Sequence, residues 1–388
     1  MNSHPPSENT AKDWLVELCQ FSVDPNHPYY LSCGNISALG RFLKSFGHSR
    51  AVVITDENVA EFWGQAIRDG LGDFPHDNIV LPPGESGKTF ATITYLYQKL
   101  LRFEADRSTA VVGIGGGAVC DIAGFAASTF MRGLPLYLVP STLLAMMDAS
   151  IGGKNGIDLP EGKNLIGTFY LPSAVFTDLH LLSTLPRKEL SSGLVETLKT
   201  AVIGDTELFA ELELFDMESS LQRPLMASPN LRYHPLFSIV RRAVTVKSQI
   251  VVSDFLEQDQ RRLLNLGHTL GHGLEAAGGF SLLSHGEAVS LGLLAAVHIA
   301  GKLELLQEPL EERILIMLKR WGMPVRIPEA IKWEDTVRAI RRDKKIREKN
   351  LVLILPNAVG SVEIVTGLDV SCLHEAFEFL SAPNVTGS

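Results

Sequence analysis

The chain has 388 residues, a formal net charge of -9, 45% hydrophobic and 20% charged residues. This length exceeds the roughly 250–300 residues at which a single hydrophobic core stops growing, so two domains are expected, and the globular composition excludes a disordered or fibrous chain. The negative balance removes the usual electrostatic route to nucleic acid and leaves a small anionic metabolite as the partner for any local basic cluster.

The opening Met1 to Thr10 is polar rather than signal-like, and no apolar run reaches the roughly 18 residues that span a bilayer, so a soluble cytoplasmic protein without a membrane partner is expected. Short β-branched runs then alternate with helical patterns: Arg50 to Thr55, Asn78 to Leu81, Thr109 to Ile114 and Leu136 to Pro140. This is α/β order, and the nearly continuous apolar character predicts strands buried on both faces of a parallel, doubly wound (Rossmann-like) sheet. We read residues 1–183 as this α/β domain and residues 184–388 as a mainly helical one. Helical periodicity runs through Arg187 to Ile203, His234 to Phe255, Gly286 to Leu305 and Leu310 to Trp321, with an irregular stretch at Ser219 to Pro235 and a late strand at Leu351 to Leu355. Cys19, Cys33, Cys120 and Cys372 are scattered without a Cys-x-x-Cys pair and are expected as free thiols.

Several motifs carry chemistry. The strand ending at Ile114 runs into Gly115-Gly116-Gly117 and then a helical pattern containing Asp121, which lets backbone approach a pyrophosphate at a helix N-terminus; alone, it is equally a tight strand-to-helix turn. Pro82 to Thr89 ends in Gly87-Lys88-Thr89 and imitates an NTPase phosphate loop, yet Pro82 stands where that loop needs glycine. Lys154 and Lys163 lie among glycines, in Gly152-Gly153-Lys154-Asn155-Gly156 and Gly162-Lys163-Asn164, and can meet an anion, with Arg132 able to join them. His268 and His272 are spaced i, i+4, with His285 and Asn265 nearby, a set that suits a divalent metal such as zinc. Glu196 and Lys199 are an i, i+3 pair with apolar flanks, either a surface ion pair or a partly buried carboxylate completing that metal site beside an anion-facing lysine.

Read together, these motifs resemble the 3-dehydroquinate synthase family over nearly the whole chain, from Thr55-Asp56-Glu57-Asn58 to Arg342-Asp343-Lys344-Lys345. The most specific pieces are Asp148 to Gly156, Gly162 to Gly167, Thr184-Leu185-Pro186 with Glu189, Glu196-x-x-Lys199 and Leu264-Asn265-Leu266-Gly267-His268-Thr269. The resemblance implies an NAD site lined by Asp56, Asn58, Glu85, Lys88, Gly116, Gly117, Asp121, Ser141, Thr142 and Thr184, with Lys163 counted among the cofactor contacts. It implies a zinc or cobalt site made by Glu196, His268 and His285, which moves His272 from the metal to the substrate. Substrate contacts are implied for Arg132, Asp148, Lys154, Asn164, Lys199, Lys247, Arg261, Asn265, His272 and Lys344, with Lys345 the alternative to Lys344. The sequence departs from the family pattern at Ala118-Val119-Cys120, at Ser141 in place of a threonine and at Asp158 in place of an asparagine.

The implied chemistry is oxidation of the C5 alcohol of 3-deoxy-D-arabino-heptulosonate 7-phosphate by NAD, β-elimination of phosphate, return of the hydride and intramolecular aldol closure, with the metal as Lewis acid. The competing readings are a related sugar-phosphate cyclase of the aminodehydroquinate, valiolone or inosose type, a metal-dependent polyol dehydrogenase and a catalytically silent ligand-binding protein. The combination of Asn265, His272 and Lys344 favours the dehydroquinate reaction over the valiolone and inosose types. A homodimer is implied as the assembly.

Overall fold

The computed structural model describes residues 19–20, 26–159, 162–222, 234–342 and 351–382; Lys344 and Lys345 lie outside them. Its contacts divide the chain into two compact units, Met1–Pro186 with Glu218–Leu256, and Arg187–Met217 with Glu257–Ser388. The units therefore do not follow a single cut through the chain.

In the first unit the strands are β1 (Cys19–Gln20), β2 (Tyr29–Ser32), β3 (Ala51–Asp56), β4 (His76–Leu81), β5 (Ala110–Gly115), β6 (Leu136–Pro140), β7 (Lys154–Leu159), β8 (Gly162–Phe169) and β9 (Ala174–Asp178). Seven of them form one sheet in the order β1-β2-β9-β6-β5-β3-β4, parallel except where β1 pairs with β2. Helices α1 (Leu39–Ser45) and α2 (Glu57–Leu71) contribute to one apolar cluster, and α3 (Phe90–Arg102) and α4 (Gly117–Thr129) to another. Val53 and Val112 point into the first cluster, while Val52, Ile54 and Val111 point into the second. Alternation along a strand thus feeds opposite faces, and both are apolar because both are covered.

The expected burial holds for β3, β5 and β6, whose residues are all buried. It does not hold for β4, the terminal strand, where Asp77 and Asn78 are partly or well exposed because only one neighbour pairs with it. The sequence reading also missed the antiparallel hairpin of β7 and β8, in which Lys154 is paired with Phe169 and Gly156 with Gly167. Its glycines and lysines carry no strand alternation in the sequence.

The second unit is built around α5 (Arg187–Gly204), buried without interruption from Leu190 to Ile203. A helix buried on every side lies in a core, so the polar residues it carries need partners. It is followed by α6 (Thr206–Leu214) and α7 (Met217–Gln222), then by α8 (Pro235–Ser253), which belongs to the first unit. The irregular stretch expected at Ser219 to Pro235 is helical at its start, and residues 223–233 lie outside the described residues. The second unit resumes with α9 (His268–Ala277), α10 (His285–Lys302), α11 (Leu310–Arg320), α12 (Trp333–Arg342), the hairpin β10 (Leu351–Ala358) and β11 (Ser361–Leu368), and α13 (Ser371–Ser381). The late strand is therefore longer than expected and has a partner. Among the described residues no helix is long and apolar enough to cross a membrane, and Cys33, Cys120 and Cys372 are free thiols.

Candidate functional site

In the first unit the chain reverses its order across the sheet at the β3/β5 boundary, since β4 follows on one side and β5 and β6 on the other. The carboxyl ends of strands at such a switch point form the usual ligand crevice of an open α/β sheet. Asp56 ends β3, Gly116 and Gly117 follow β5 into α4, and Ser141 and Thr142 follow β6. A Cβ on Gly115 would lie 2.6 Å from the Cβ of Val119, so glycine is required for the turn to enter α4 this tightly. Asp56 accepts from the backbone N–H of Val59 at 2.9 Å and caps α2, while Asn58 beside it is exposed. Thr142 Oγ1 accepts from the N–H of Ala145, and Thr184 Oγ1 accepts from Trp63 Nε1 at 2.8 Å.

The ammonium of Lys88 is buried and donates to Asp121 Oδ2 at 2.7 Å and Asn164 Oδ1 at 2.6 Å, with Glu85 Oε2 at 3.5 Å. Burial would lower the lysine, but Asp121 and Glu85 outweigh it and hold the pKa above its ordinary value. Burial likewise pushes Asp121 up to about 6 against the pull of Lys88. Asn164 has a left-handed backbone (φ 53°), and its N–H donates to Asp158 Oδ1 at 2.7 Å. Glu85, Lys88 and Asp121, all assigned to the cofactor, thus share one cluster with Asn164, assigned to the substrate, and Asp158, a departure from the family pattern, holds the backbone of Asn164.

The same unit places Lys247 of α8 against Asp148: its buried ammonium donates to the backbone carbonyl at 2.5 Å and to the carboxylate Oδ1. Lys154 is exposed at the start of β7, and Lys163 is partly buried near the start of β8. Arg132 is exposed in a turn where Met131 and Arg132 both have positive φ (49° and 68°), a conformation that costs a non-glycine residue about 1 kcal/mol or more.

The second unit holds the metal candidates. Glu196 and Lys199 on α5 are buried to 3% exposure each, with Nζ 2.5 Å from Oε2. His268 opens α9 and His285 opens α10; their Nε2 atoms lie 3.6 and 3.4 Å from Glu196 Oε1. None of these approaches has the combined distance and angle of a hydrogen bond, and among the described residues neither Glu196 oxygen has a hydrogen-bond partner. One potential ligand atom from each of Glu196, His268 and His285 lies within 4.8 Å of the others, and His272 is not part of that group.

The charge states decide what the triad can hold. Burial alone would raise the Glu196 carboxyl, but Lys199 and the two imidazoles keep it well below the usual carboxylate range. Burial, and then the Lys199 ammonium, hold His268 well below the ordinary imidazole value, so it is neutral. Its Nδ1 faces the Leu266 carbonyl at 3.1 Å, which can only accept, so Nε2 presents a lone pair to an ionised carboxylate. Two acceptors facing each other in a dry site repel unless a cation lies between them. Burial would also lower His285, but Glu196 and Glu275 outweigh it and push it up to about 10. A divalent ion is a substitute for that proton. Tetrahedral coordination about 2.1 Å from each donor separates donors by about 3.4 Å, close to the spacings around Oε1. The residues fit a zinc-like ion.

Sequence and packing explain why three helices converge here. Ser284 caps α10 in a capping box with Glu287, which also receives Lys188 of α5 at 2.9 Å. That assigns Glu287, adjacent in sequence to the ligand candidates, to the helix end. Gly267, with φ 77°, turns the chain into α9, and a Cβ on Gly292 of α10 would lie 1.9 Å from the Gly267 carbonyl oxygen. Around this centre Arg261 is buried, Asn265 Nδ2 donates to Glu257 Oε1 at 3.0 Å, and His272 lies one turn along α9 with its ring centroid 5.0 Å from that of His268. Glu257 and Glu275 escaped the sequence reading; only the i, i+7 spacing of Glu275 from His268 pointed to it.

This architecture, an open α/β unit with its crevice at a strand switch and a helical unit with a buried carboxylate–imidazole triad, is matched by known proteins. Models described as 3-dehydroquinate synthase N-terminal and 3-dehydroquinate synthase C-terminal match residues 78–192 and 193–346. The 3-dehydroquinate synthase of Symbiobacterium thermophilum is 40% identical, with 92% of this chain and 98% of the relative covered. Among solved structures, ValA, a 2-epi-5-epi-valiolone synthase from Streptomyces hygroscopicus subsp. jinggangensis with NAD+ and Zn2+ bound, superposes with a TM-score of 0.81 at 27% identity, covering 91% of this chain and 96% of that one. A 2-deoxy-scyllo-inosose synthase complexed with carbaglucose-6-phosphate, NAD+ and Co2+ gives a TM-score of 0.80 at 25% identity, covering 93% and 99%. The chain belongs to the 3-dehydroquinate synthase family.

Proposed function

We propose that the chain is an active 3-dehydroquinate synthase of the shikimate pathway, converting 3-deoxy-D-arabino-heptulosonate 7-phosphate to 3-dehydroquinate and phosphate. The observation that carries this is the buried Glu196, with two imidazoles turned to one of its oxygens and Lys199 at the other, in a chain matched by both halves of the family. On this reading residues 1–183 supply nearly all of the NAD contacts and residues 184–388 the metal ligands, with substrate contacts drawn from both stretches.

When bound, NAD removes and returns a hydride and the divalent ion, zinc or cobalt, polarises the alcohol being oxidised. Glu196, His268 and His285 hold the ion. The first turn of α4, with Gly116 and Gly117, offers its N–H groups to the pyrophosphate, while Asp56, Asn58, Glu85, Lys88, Asp121, Ser141, Thr142, Lys163 and Thr184 line the remainder of the nucleotide site. Arg132, Lys154, Asn164, Lys199, Lys247 and Arg261 hold the phosphate and carboxylate of the substrate, and Asp148 positions Lys247. Asn265 and His272 contact the ring-forming skeleton, together with Lys344. Oxidation acidifies the C–H next to the new ketone, so elimination needs a nearby acceptor for one proton, and the departing phosphate supplies a basic oxygen within the same molecule.

We also infer a cytoplasmic homodimer. Leu165 and Phe169 on β8, Val252 on α8 and Leu256 just after that helix are exposed, and the Phe169–Phe255 ring contact joins β8 to the segment that follows α8, which supports a self-contact there. A sedimentation mass equal to one chain of 42.4 kDa removes that inference.

Phosphate release from the heptulosonate with a trace of NAD tests the function. One NAD serves many turnovers, so phosphate accumulates far beyond the nucleotide without a matching rise in NADH absorbance. One NADH per product establishes a polyol dehydrogenase instead, turnover only with an amino-sugar analogue establishes the related cyclase, and no turnover establishes a silent scaffold. His268→Ala, His285→Ala and Glu196→Gln lose metal and activity while keeping the fold, and His272→Ala keeps its metal; full metal occupancy in the first three refutes the ligand set.

A further inference from the structure

His285 meets the triad through one ring nitrogen, and its other nitrogen has a partner of its own. Nε2 lies 3.4 Å from Glu196, and Nδ1 lies 3.4 Å from Oε2 of Glu275. Glu275 is on α9, buried to 5% exposure, seven residues after His268. In a 3.6-residue helix, positions i, i+4 and i+7 share a stripe, so His268, His272 and Glu275 line one face of α9. His285, the first residue of α10, packs against that face: its ring centroid is 5.5 Å from that of His268 and 6.1 Å from that of His272.

An ionised carboxylate can accept a hydrogen bond but not donate one, so this contact puts a proton on Nδ1 and leaves Nε2 for the triad. The arrangement parallels that of His268, whose Nδ1 is held by the Leu266 carbonyl. Both imidazoles are therefore oriented from behind, one by backbone and one by a buried charge. A buried carboxylate is expensive to keep without compensation, and a partner on a metal ligand repays that expense by raising the ligand's basicity and fixing its ring.

We propose that Glu275 is a positioning residue for the metal centre, setting the tautomer and orientation of His285. The proposal rests on the metal reading of the Glu196–His268–His285 triad. Its test measures Zn2+ affinity of the full chain by competition with a chromophoric chelator, together with the visible absorption of the Co2+-loaded protein. Glu275→Ala is expected to weaken Zn2+ binding about 10–100-fold and to shift the Co2+ bands, as loss of such a partner does elsewhere. Glu275→Gln keeps the volume and one acceptor oxygen, so it shows a smaller loss in the same direction with an unchanged circular dichroism spectrum. If the alanine variant does not fold, the glutamine variant decides. Wild-type Zn2+ affinity and wild-type Co2+ bands in Glu275→Gln overturn the proposal, because a residue serving only to fill space tolerates that change. His285→Ala separates the two readings: loss of Zn2+ there with an unaffected Glu275→Gln defeats only the role of Glu275, whereas wild-type affinity in His285→Ala defeats the triad itself.

Discussion

The contact between α9 and α10 gives the sharpest quantitative prediction, because it is made by backbone. Replacing Gly292 with alanine puts a Cβ 1.9 Å from the Gly267 carbonyl oxygen, 2.9 Å from its carbon and 3.0 Å from the nitrogen of Gly271. Real Cβ contacts essentially never fall under 3.0 Å, so the two helices must separate by about 1 Å. The surrounding core is close-packed and cannot absorb this, and overpacking of this kind costs about 1–3 kcal/mol. Alanine returns about 1 kcal/mol of helix propensity, leaving a net loss of about 0–2 kcal/mol. The metal centre is more sensitive than stability. His268 follows Gly267 directly, and metal sites tolerate ligand displacements of only about 0.2 Å. Gly292→Ala is therefore expected to lower activity on the order of 10²-fold, as 1 Å misplacements do, and to weaken Zn2+ binding while lowering the thermal midpoint modestly. Gly301→Ala is the control on the same helix: its Cβ meets only Leu306 Cδ1 at 3.6 Å, an ordinary contact, so metal, activity and fold are retained. Wild-type metal affinity and turnover in Gly292→Ala would refute the claim that this contact sets the ligand spacing.

Asp121 makes a prediction about pH. Its folded pKa, about 6, exceeds the value near 3.9 expected when unfolded, so the folded state binds the extra proton between these values and stability attributable to this group falls as pH rises from about 4 to about 6. The shift is worth at most roughly 2–3 kcal/mol, and it is read as the difference between wild type and Asp121→Asn in urea unfolding across that window; a difference independent of pH there contradicts the burial argument. At the substrate, Lys154→Ala is expected to depress phosphate release strongly with NAD affinity nearly intact, since Lys154 is exposed at the start of β7 while Lys88 and Asp121 form a separate ion pair. Lost NAD binding in that variant, measured by calorimetry, contradicts the partition.

Elements whose cause is local or periodic were legible in the chain. Continuous apolar runs placed β3, β5 and β6, helical spacing placed α5, α8, α10 and α11, and Gly115 to Gly117 announced a tight strand-to-helix turn, because each signal is written within a few residues. The motifs carried the family and, through it, the choice of His285 over His272, which i, i+4 spacing alone pointed away from. Relations between distant segments emerged only from the folded chain. Glu196 and Lys199 read equally as a surface pair until α5 proved buried on all sides; burial is set by what packs around a helix, not by its own four residues. The Lys88–Asp121–Asn164 cluster joins positions up to 76 residues apart, and Glu275 reaches His285 across the turn between two helices. The lone pair of His268 faces Glu196 only because the Leu266 carbonyl fixes the other ring nitrogen. Such facts depend on direction and distance in space, and spacing along a chain records neither.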